Sequence, residues 1–199
     1  MVKFFIYVAS SLIILLAIYL SVFEFLLYFF QTSFQGEIKN PLAHSRTWTY
    51  LLKQEYVTFI ELDVFNIHEK RHLLDVKRVF EKVYTLWIIF FSLSVLILTL
   101  FLFQMKEQLK KLLQHIAILG MIFNTFLIVF FLNFLNAFKL LHTFIFADNT
   151  WTFPKNSLLI EWFPLLYFKE FFLLFLFFTF IILFLVNPKK HLPHHQKSK

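Results

Sequence analysis

The sequence contains no cysteine. That excludes a disulfide framework, a thiolate nucleophile, thiolate-bound zinc and a lipid-anchored cysteine of its own. It has only two glycines, too few for a Gly-rich phosphate loop, so no nucleotide cofactor is implied. Charge is scarce as well, at 16% of residues, while 59% are hydrophobic and 32 of 199 are Phe. A soluble domain is about half apolar and a quarter charged. This composition excludes both a disordered chain and an ordinary water-soluble enzyme, and makes the bilayer the solvent.

Four uncharged apolar runs carry that inference: Phe4–Phe23, Val83–Phe103, Ile116–Phe138 and the shorter Phe171–Val186. Roughly 20 helical residues cross a hydrocarbon core of about 30 Å, so the first three span it directly. The fourth needs the preceding residues from Leu165, with Lys169 and Glu170 snorkelling or turned towards protein. The first run is too long for a signal-peptide core and no small-x-small cleavage site follows it, so it is expected to be a retained helix.

With four spans both termini share a side with the linker Gln104–His115. Those segments hold eight lysines (Lys3, Lys106, Lys110, Lys111, Lys189, Lys190, Lys197 and Lys199) against Glu107, which accounts for the whole net charge of +7. Lys/Arg excess marks the cytoplasmic face, which places residues 31–82 and 139–164 outside. The expected order is therefore helix 1 (1–30), an outer segment (31–82), helix 2 (83–103), a cytoplasmic linker (104–115), helix 3 (116–138), an outer segment (139–164), helix 4 (165–186) and a basic tail (187–199). The basic balance points to lipid headgroups rather than nucleic acid. Val57–Val64 alternates in the manner of a strand, which predicts a small extracytoplasmic α+β cap on an all-α four-helix membrane bundle. From His72 the apolar residues Leu73, Val76, Val79, Phe80, Val83 and Tyr84 recur at helical spacing, so helix 2 is expected to begin before the hydrocarbon.

Several residues in the outer segments carry chemistry. His68-Glu69-Lys70-Arg71-His72 satisfies H-E-x-x-H, in which two His bind zinc and Glu acts as base. With eight His in the chain such a match also arises by chance, and no third ligand stands at a fixed spacing. On a helix His72 is an i, i+3 neighbour of both Glu69 and Asp75, so a carboxylate can hold the imidazole; a solvated juxtamembrane turn would read the same way. His142 sits among Leu and Phe four residues beyond the third run. Together with His72 it puts two imidazoles on one side at similar depth, which base-plus-electrophile catalysis at neutral pH requires. Glu24 interrupts the outer end of the first run, where it either faces the bundle or sits among headgroups. Asn124, Asn133 and Asn136 are expected to cross-link helices, and Trp48, Trp87, Trp151 and Trp162 to anchor the interface or the cap.

Two segments together resemble the lipoprotein intramolecular transacylase family of bacterial membrane proteins. The first, Phe65 to Lys77, places Glu69 three residues before His72 and follows it with Asp75-Val76-Lys77. The second runs from Phe138 through His142, Asn149-Thr150-Trp151 and Phe163-Pro164. The family often has an Asp after the Trp where this chain has Asn156 and Ser157, and His68 stands outside the family pattern. The resemblance implies an O-to-N acyltransferase, with no metal, nucleotide or redox cofactor. Its substrate would be a diacylglyceryl-modified apolipoprotein in the outer leaflet of a bacterial cell membrane, and the sn-2 acyl chain would move to the cysteine α-amine. It further implies His72 and His142 as the catalytic pair, with Asp75 orienting His72 and Glu69, Lys77, Asn149 and Trp151 in support; Glu24 joins the supporting residues on its place at the end of the first run. Because amine and ester are already tethered, effective molarity replaces a covalent acyl-enzyme. Two alternatives stand beside it: a membrane zinc hydrolase using His68, Glu69 and His72, and a non-enzymatic subunit that binds a partner through its cap.

Overall fold

The computed structural model describes residues 2–33, 40–52, 62–147 and 149–188. The basic tail from Lys189 and most of the expected strand Val57–Val64 lie outside these residues. Among them every element is helical: α1 Val2–Ser33, α2 Pro41–Leu52, α3 Ile67–Gln104, α4 Lys106–Leu132, α5 Phe134–Ile145, α6 Leu158–Trp162 and α7 Leu165–Val186. The α+β cap is accordingly corrected. What caps the bundle among the described residues is the short helices α2 and α6, while Asp63 and Val64 form a turn.

Among the described residues four stretches are long and apolar enough to cross a bilayer: Phe5–Phe30, Ile67–Gln104, Lys106–Leu132 and Leu158–Val186. The second, at 38 residues, is about 57 Å long, nearly twice a hydrocarbon core. All eight of the charges it carries between Glu69 and Lys82 precede Val83, which leaves Val83–Phe103 as its uncharged apolar part. A capping box starts this helix. Asn66 Oδ1 accepts from the N–H groups of His68 (2.9 Å) and Glu69 (3.0 Å), and Glu69 Oε2 accepts from the N–H of Asn66 at 3.0 Å. Three otherwise orphaned donors are thus satisfied, which fixes where the helix begins.

Helix α1 is the hub, packed by α3, α4 and α7. A polar clasp holds it at mid-depth, where Asn124 is fully buried and its Oδ1 accepts from Tyr19 Oη (2.6 Å) and Thr179 Oγ1 (3.3 Å), joining α1, α4 and α7. Trp87 Nε1 donates to Ser21 Oγ at 3.0 Å and joins α3 to α1. Gly120 lets α4 approach closely, since a Cβ there would collide with Leu183 and Leu15. Of the three asparagines expected to cross-link helices, Asn124 does so; Asn136 is exposed and Asn133 is the break between α4 and α5. The third apolar run is therefore two helices. No proline causes the break: Asn133 takes φ −124°, ψ 55° and donates to Phe130 O, a tightened last turn, after which α5 carries the chain on to Ile145.

Two apolar cores stack along the bundle. One, around Leu15, Phe101, Leu112, Ile116 and Leu183, lies near the α3–α4 corner. The other joins the far end of α1 (Val22, Leu26, Phe30) to Trp48, Phe65, Leu73, Leu159 and Trp162. Trp48 and Trp162 are core residues of the cap, 3% and 8% exposed, and not interface anchors. This second core is the floor against which the first turns of α3 are held.

Candidate active site

Histidines 72 and 142, 70 positions apart in the chain, meet at the end of the bundle beside this second core. Their ring centroids are 6.4 Å apart and their planes 28° from parallel. Both rings lie beyond the uncharged stretches, His72 eleven residues before Val83 on α3 and His142 on α5. Aromatic rings wall them in. Phe146 lies 4.8 Å from His72 and 5.4 Å from His142, Phe153 lies 5.3 Å from His72, and Trp151 and Phe138 lie 5.3 and 4.0 Å from His142. His72 is 7% exposed.

This enclosure sets the charge state of the pair. Burial, then the neighbouring His142 and His68, push the His72 imidazole down to about 4, because each disfavours a second positive charge in a low-dielectric site. His142 is also lowered by burial, with its backbone hydrogen bond opposing the shift. Both rings are neutral at pH 7. His142 Nδ1 lies 2.9 Å from the carbonyl oxygen of Phe138. A carbonyl only accepts, so Nδ1 carries the proton and Nε2 presents a lone pair. The Nδ1 of His72, by contrast, is shielded from solvent and has no hydrogen-bond partner. An unpaired buried ring nitrogen costs about 1–3 kcal/mol and is the kind of exception that native proteins keep at working sites.

The other expected site residues are distributed differently. Glu69 is buried at 3% exposure, yet it does not bond the imidazole. Besides its place in the capping box, its Oε1 accepts from the Leu159 N–H at 3.2 Å, joining the start of α3 to the start of α6. Asp75, expected to orient His72, instead pairs with Arg78 at 3.4 Å on the surface. Lys77 sits over the Tyr50 ring at 4.5 Å and ties α3 to α2. Asn149 adopts φ 63°, the left-handed region that Asn tolerates better than most residues. It shapes the turn between Phe146 and Trp151, in which Thr150 N–H donates to Ala147 O. Trp151 does reach the site, through His142. Glu24 is half-buried on α1, its Oε1 without a partner, and no contact joins it to the two imidazoles.

The H-E-x-x-H reading meets a specific obstacle. Its glutamate is engaged by two backbone N–H groups and has no freedom to act on a metal-bound water. Among the described residues no three His, Cys, Asp or Glu side chains converge as a metal set would. Sequence reasoning missed Asn66, Phe153 and Leu159, and gave Phe146 no role of its own. An N-cap Asn three residues before Glu was the available signal for Asn66. It also passed over His44, a buried imidazole whose affinity for a proton is lowered by burial and which packs α2 onto Trp162 at 5.3 Å.

The family model described as "Lipoprotein intramolecular transacylase Lit" matches residues 2–168 of the chain. Two solved structures of the membrane integral lipoprotein intramolecular transacylase Lit from Bacillus cereus share the fold. One has a TM-score of 0.76 at 22% identity, covering 92% of this chain and 91% of that one. The other, carrying a single His-to-Arg mutation, has a TM-score of 0.68 at 20% identity, covering 92% and 90%. No curated protein matches.

Proposed function

The chain belongs to the lipoprotein intramolecular transacylase family, a multi-pass membrane enzyme, and from that premise we propose how its two imidazoles carry out the transfer. The substrate is a lipoprotein whose N-terminal cysteine bears a diacylglyceryl group and a free α-amine. The acyl chain leaves the sn-2 oxygen of the glyceryl unit and joins that amine, giving an amide and a lyso-glyceryl thioether. The observation that carries this reading is the 6.4 Å approach of the His72 and His142 rings inside an aromatic enclosure.

The chemistry requires no acyl-enzyme. Amine and ester belong to one molecule, so holding them in reach supplies the effective concentration that a covalent intermediate otherwise provides. When the amine attacks, negative charge grows on the carbonyl oxygen and the nitrogen becomes acidic. His142 is the base: its Nδ1–H is held by Phe138 O, so Nε2 takes the proton from the adduct nitrogen and returns it to the departing sn-2 oxygen. His72 is the electrophile. As a neutral ring in a desolvated site it donates N–H to the oxyanion, where a hydrogen bond is worth more than in water. Phe146, Phe153 and Trp151 keep competing water from the adduct, and Glu69 acts as a positioning residue by fixing the first turn of α3 relative to α6.

The site faces the outer leaflet, and the termini and the α3–α4 corner face the cytoplasm. Lys106, Lys110 and Lys111 at that corner against the single Glu107 support this orientation. Membrane lipid surrounds the exposed apolar faces of α3 and α4, and the acyl tails of the substrate enter from it. Mass spectrometry of the N-terminal peptide of a reporter lipoprotein tests the proposal. With the chain expressed, the cysteine carries an N-acyl group and a lyso-glyceryl unit; an unchanged diacylglyceryl cysteine with a free amine refutes it.

A further inference from the structure

The transfer has a proton balance that the histidine pair alone does not close. An α-amine has a pKa near 7.7–8, so at pH 7 the substrate arrives mostly as an ammonium. Forming the amide removes two protons from that nitrogen. One ends on the glyceryl sn-2 oxygen as the C–O bond breaks, and the other has to leave the protein. Close to one proton per turnover is therefore exported from an enclosure whose two imidazoles are held neutral by burial, so neither retains it.

His68 is placed to take it. It lies on α3 one helical turn before His72, the spacing at which side chains are neighbours. It is exposed, whereas His72 is 7% exposed. Both rings lean on the same wall, Phe153, at 4.8 Å from His68 and 5.3 Å from His72. The two imidazoles also interact electrostatically. The titratable groups acting on His72 are His142 from α5 and His68 from its own helix; the facing segment that ends at Phe153 contributes the rings of Phe146, Trp151 and Phe153, and Asp148 within it lies outside the described residues. The first-turn carboxylate of α3, Glu69, is occupied by backbone N–H groups. Asp75, the other neighbour of His72 on this helix, is engaged by Arg78, and His68 is the imidazole on α3 that both neighbours His72 and meets water.

We infer that His68 is a proton-relay residue, receiving the proton released by the substrate ammonium through His72 and delivering it to bulk water. The ammonium proton enters at His72 Nε2 as the proton on Nδ1, which has no partner in the resting structure, leaves towards His68, so the ring ends the step neutral and carries on Nε2 the N–H that it gives to the oxyanion. The residue acts through His72 and touches neither the ester nor the amine, so its removal slows proton exit without abolishing chemistry. This inference rests on the catalytic reading of His72 and His142 above.

The test uses the full chain in lipid nanodiscs and a synthetic diacylglyceryl-cysteinyl peptide with a free α-amine, with product measured by mass spectrometry at low buffer concentration near pH 7. His68→Gln is expected to turn over roughly tenfold more slowly, less than the 10²–10⁴ that a direct acid–base group contributes. Added imidazole restores its rate while leaving the native protein unchanged, and its solvent deuterium isotope effect exceeds the native one. His68→Phe, which keeps a ring against Phe153, behaves as His68→Gln does and is rescued in the same way. Native rates in His68→Gln at low buffer overturn the inference. So does a slow variant that imidazole does not rescue, or a normal His68→Phe beside a slow His68→Gln, because either assigns His68 to packing. Failure of the underlying reading is distinct: the native chain then yields no N-acyl product, or His72→Gln and His142→Gln both retain full rates.

Discussion

The carboxylate of Glu69 accepts a hydrogen bond from the backbone N–H of Leu159, 90 positions away, at 3.2 Å, while its other oxygen closes the capping box at Asn66. One side chain therefore sets both where α3 begins and where α6 sits against it, and His72 is carried on the turn that follows. Removing the carboxylate leaves these donors in a buried place, at a cost of about 1–3 kcal/mol. Glu69→Ala is expected to lower the thermal midpoint in detergent and to reduce kcat more than KM. Unchanged melting and unchanged kcat would show that the start of α3 is held by other means.

Asp75 leads to the opposite expectation. Its carboxylate pairs with Arg78 on the surface, an interaction worth at most about 1 kcal/mol, and not with His72. Asp75→Asn is expected to keep kcat/KM within about a factor of two to five of the native value, the equivalent of that energy. A loss of two or more orders of magnitude would restore it as the orienting partner of the imidazole.

The pH dependence follows from the direction of the shifts. As pH falls below about 8 the substrate amine protonates and log kcat/KM declines with unit slope. An imidazole at its ordinary pKa near 6.5 would add a second unit of slope below that point. His72 is pushed down to about 4 and His142 is also lowered, so the slope is expected to remain one as pH drops through 6.5. A bend to slope two there would mean that a ring charges in the resting enzyme. Stability carries the same signature. Unfolded His72 binds a proton below about 6.5 and folded His72 resists until about 4, so stability declines as pH falls through that window. His72→Leu is expected to flatten that decline.

At mid-membrane, Asn124→Leu removes the acceptor shared by Tyr19 and Thr179. Interhelical polar contacts of this kind average about 0.6 kcal/mol and reach about 1.7, so a modest fall in melting temperature with unaltered kcat is expected. Gly120→Val places branched carbon against Leu183 and Leu15 and is expected to destabilise by about 1–3 kcal/mol, the usual cost of overpacking. Equal melting temperatures for both variants and the native chain would contradict the close approach of α4, α1 and α7.

What was legible in the sequence tracks the range of the physics involved. Apolar runs bounded by charge fix membrane helices because the bilayer acts on every residue of the run. The pairing of His72 with His142 could be anticipated because both stand just beyond such runs. Partner choice over a few ångströms was not legible. Asp75 has Arg78 and His72 both at i±3, and spacing alone does not say which it takes. The structure pairs it with Arg78. The break at Asn133 carries no proline, and the alternation of Val57–Val64 says nothing about whether neighbouring strands exist to pair with it. Glu69 was found for the wrong reason: its i, i+3 relation to His72 is real, but its partners are backbone groups of Asn66 and Leu159.

The central claim is that His72 and His142 act on one tetrahedral adduct as a unit. A double-mutant cycle on kcat, with N-acyl product from the diacylglyceryl-cysteinyl peptide measured by mass spectrometry for His72→Gln, His142→Gln and the pair, tests it most directly. Groups that serve one transition state lose their effects together. Each single variant is expected to fall by about 10²–10⁴, and the double variant little further. Losses that multiply, or a single variant that keeps near-native turnover, would contradict the account.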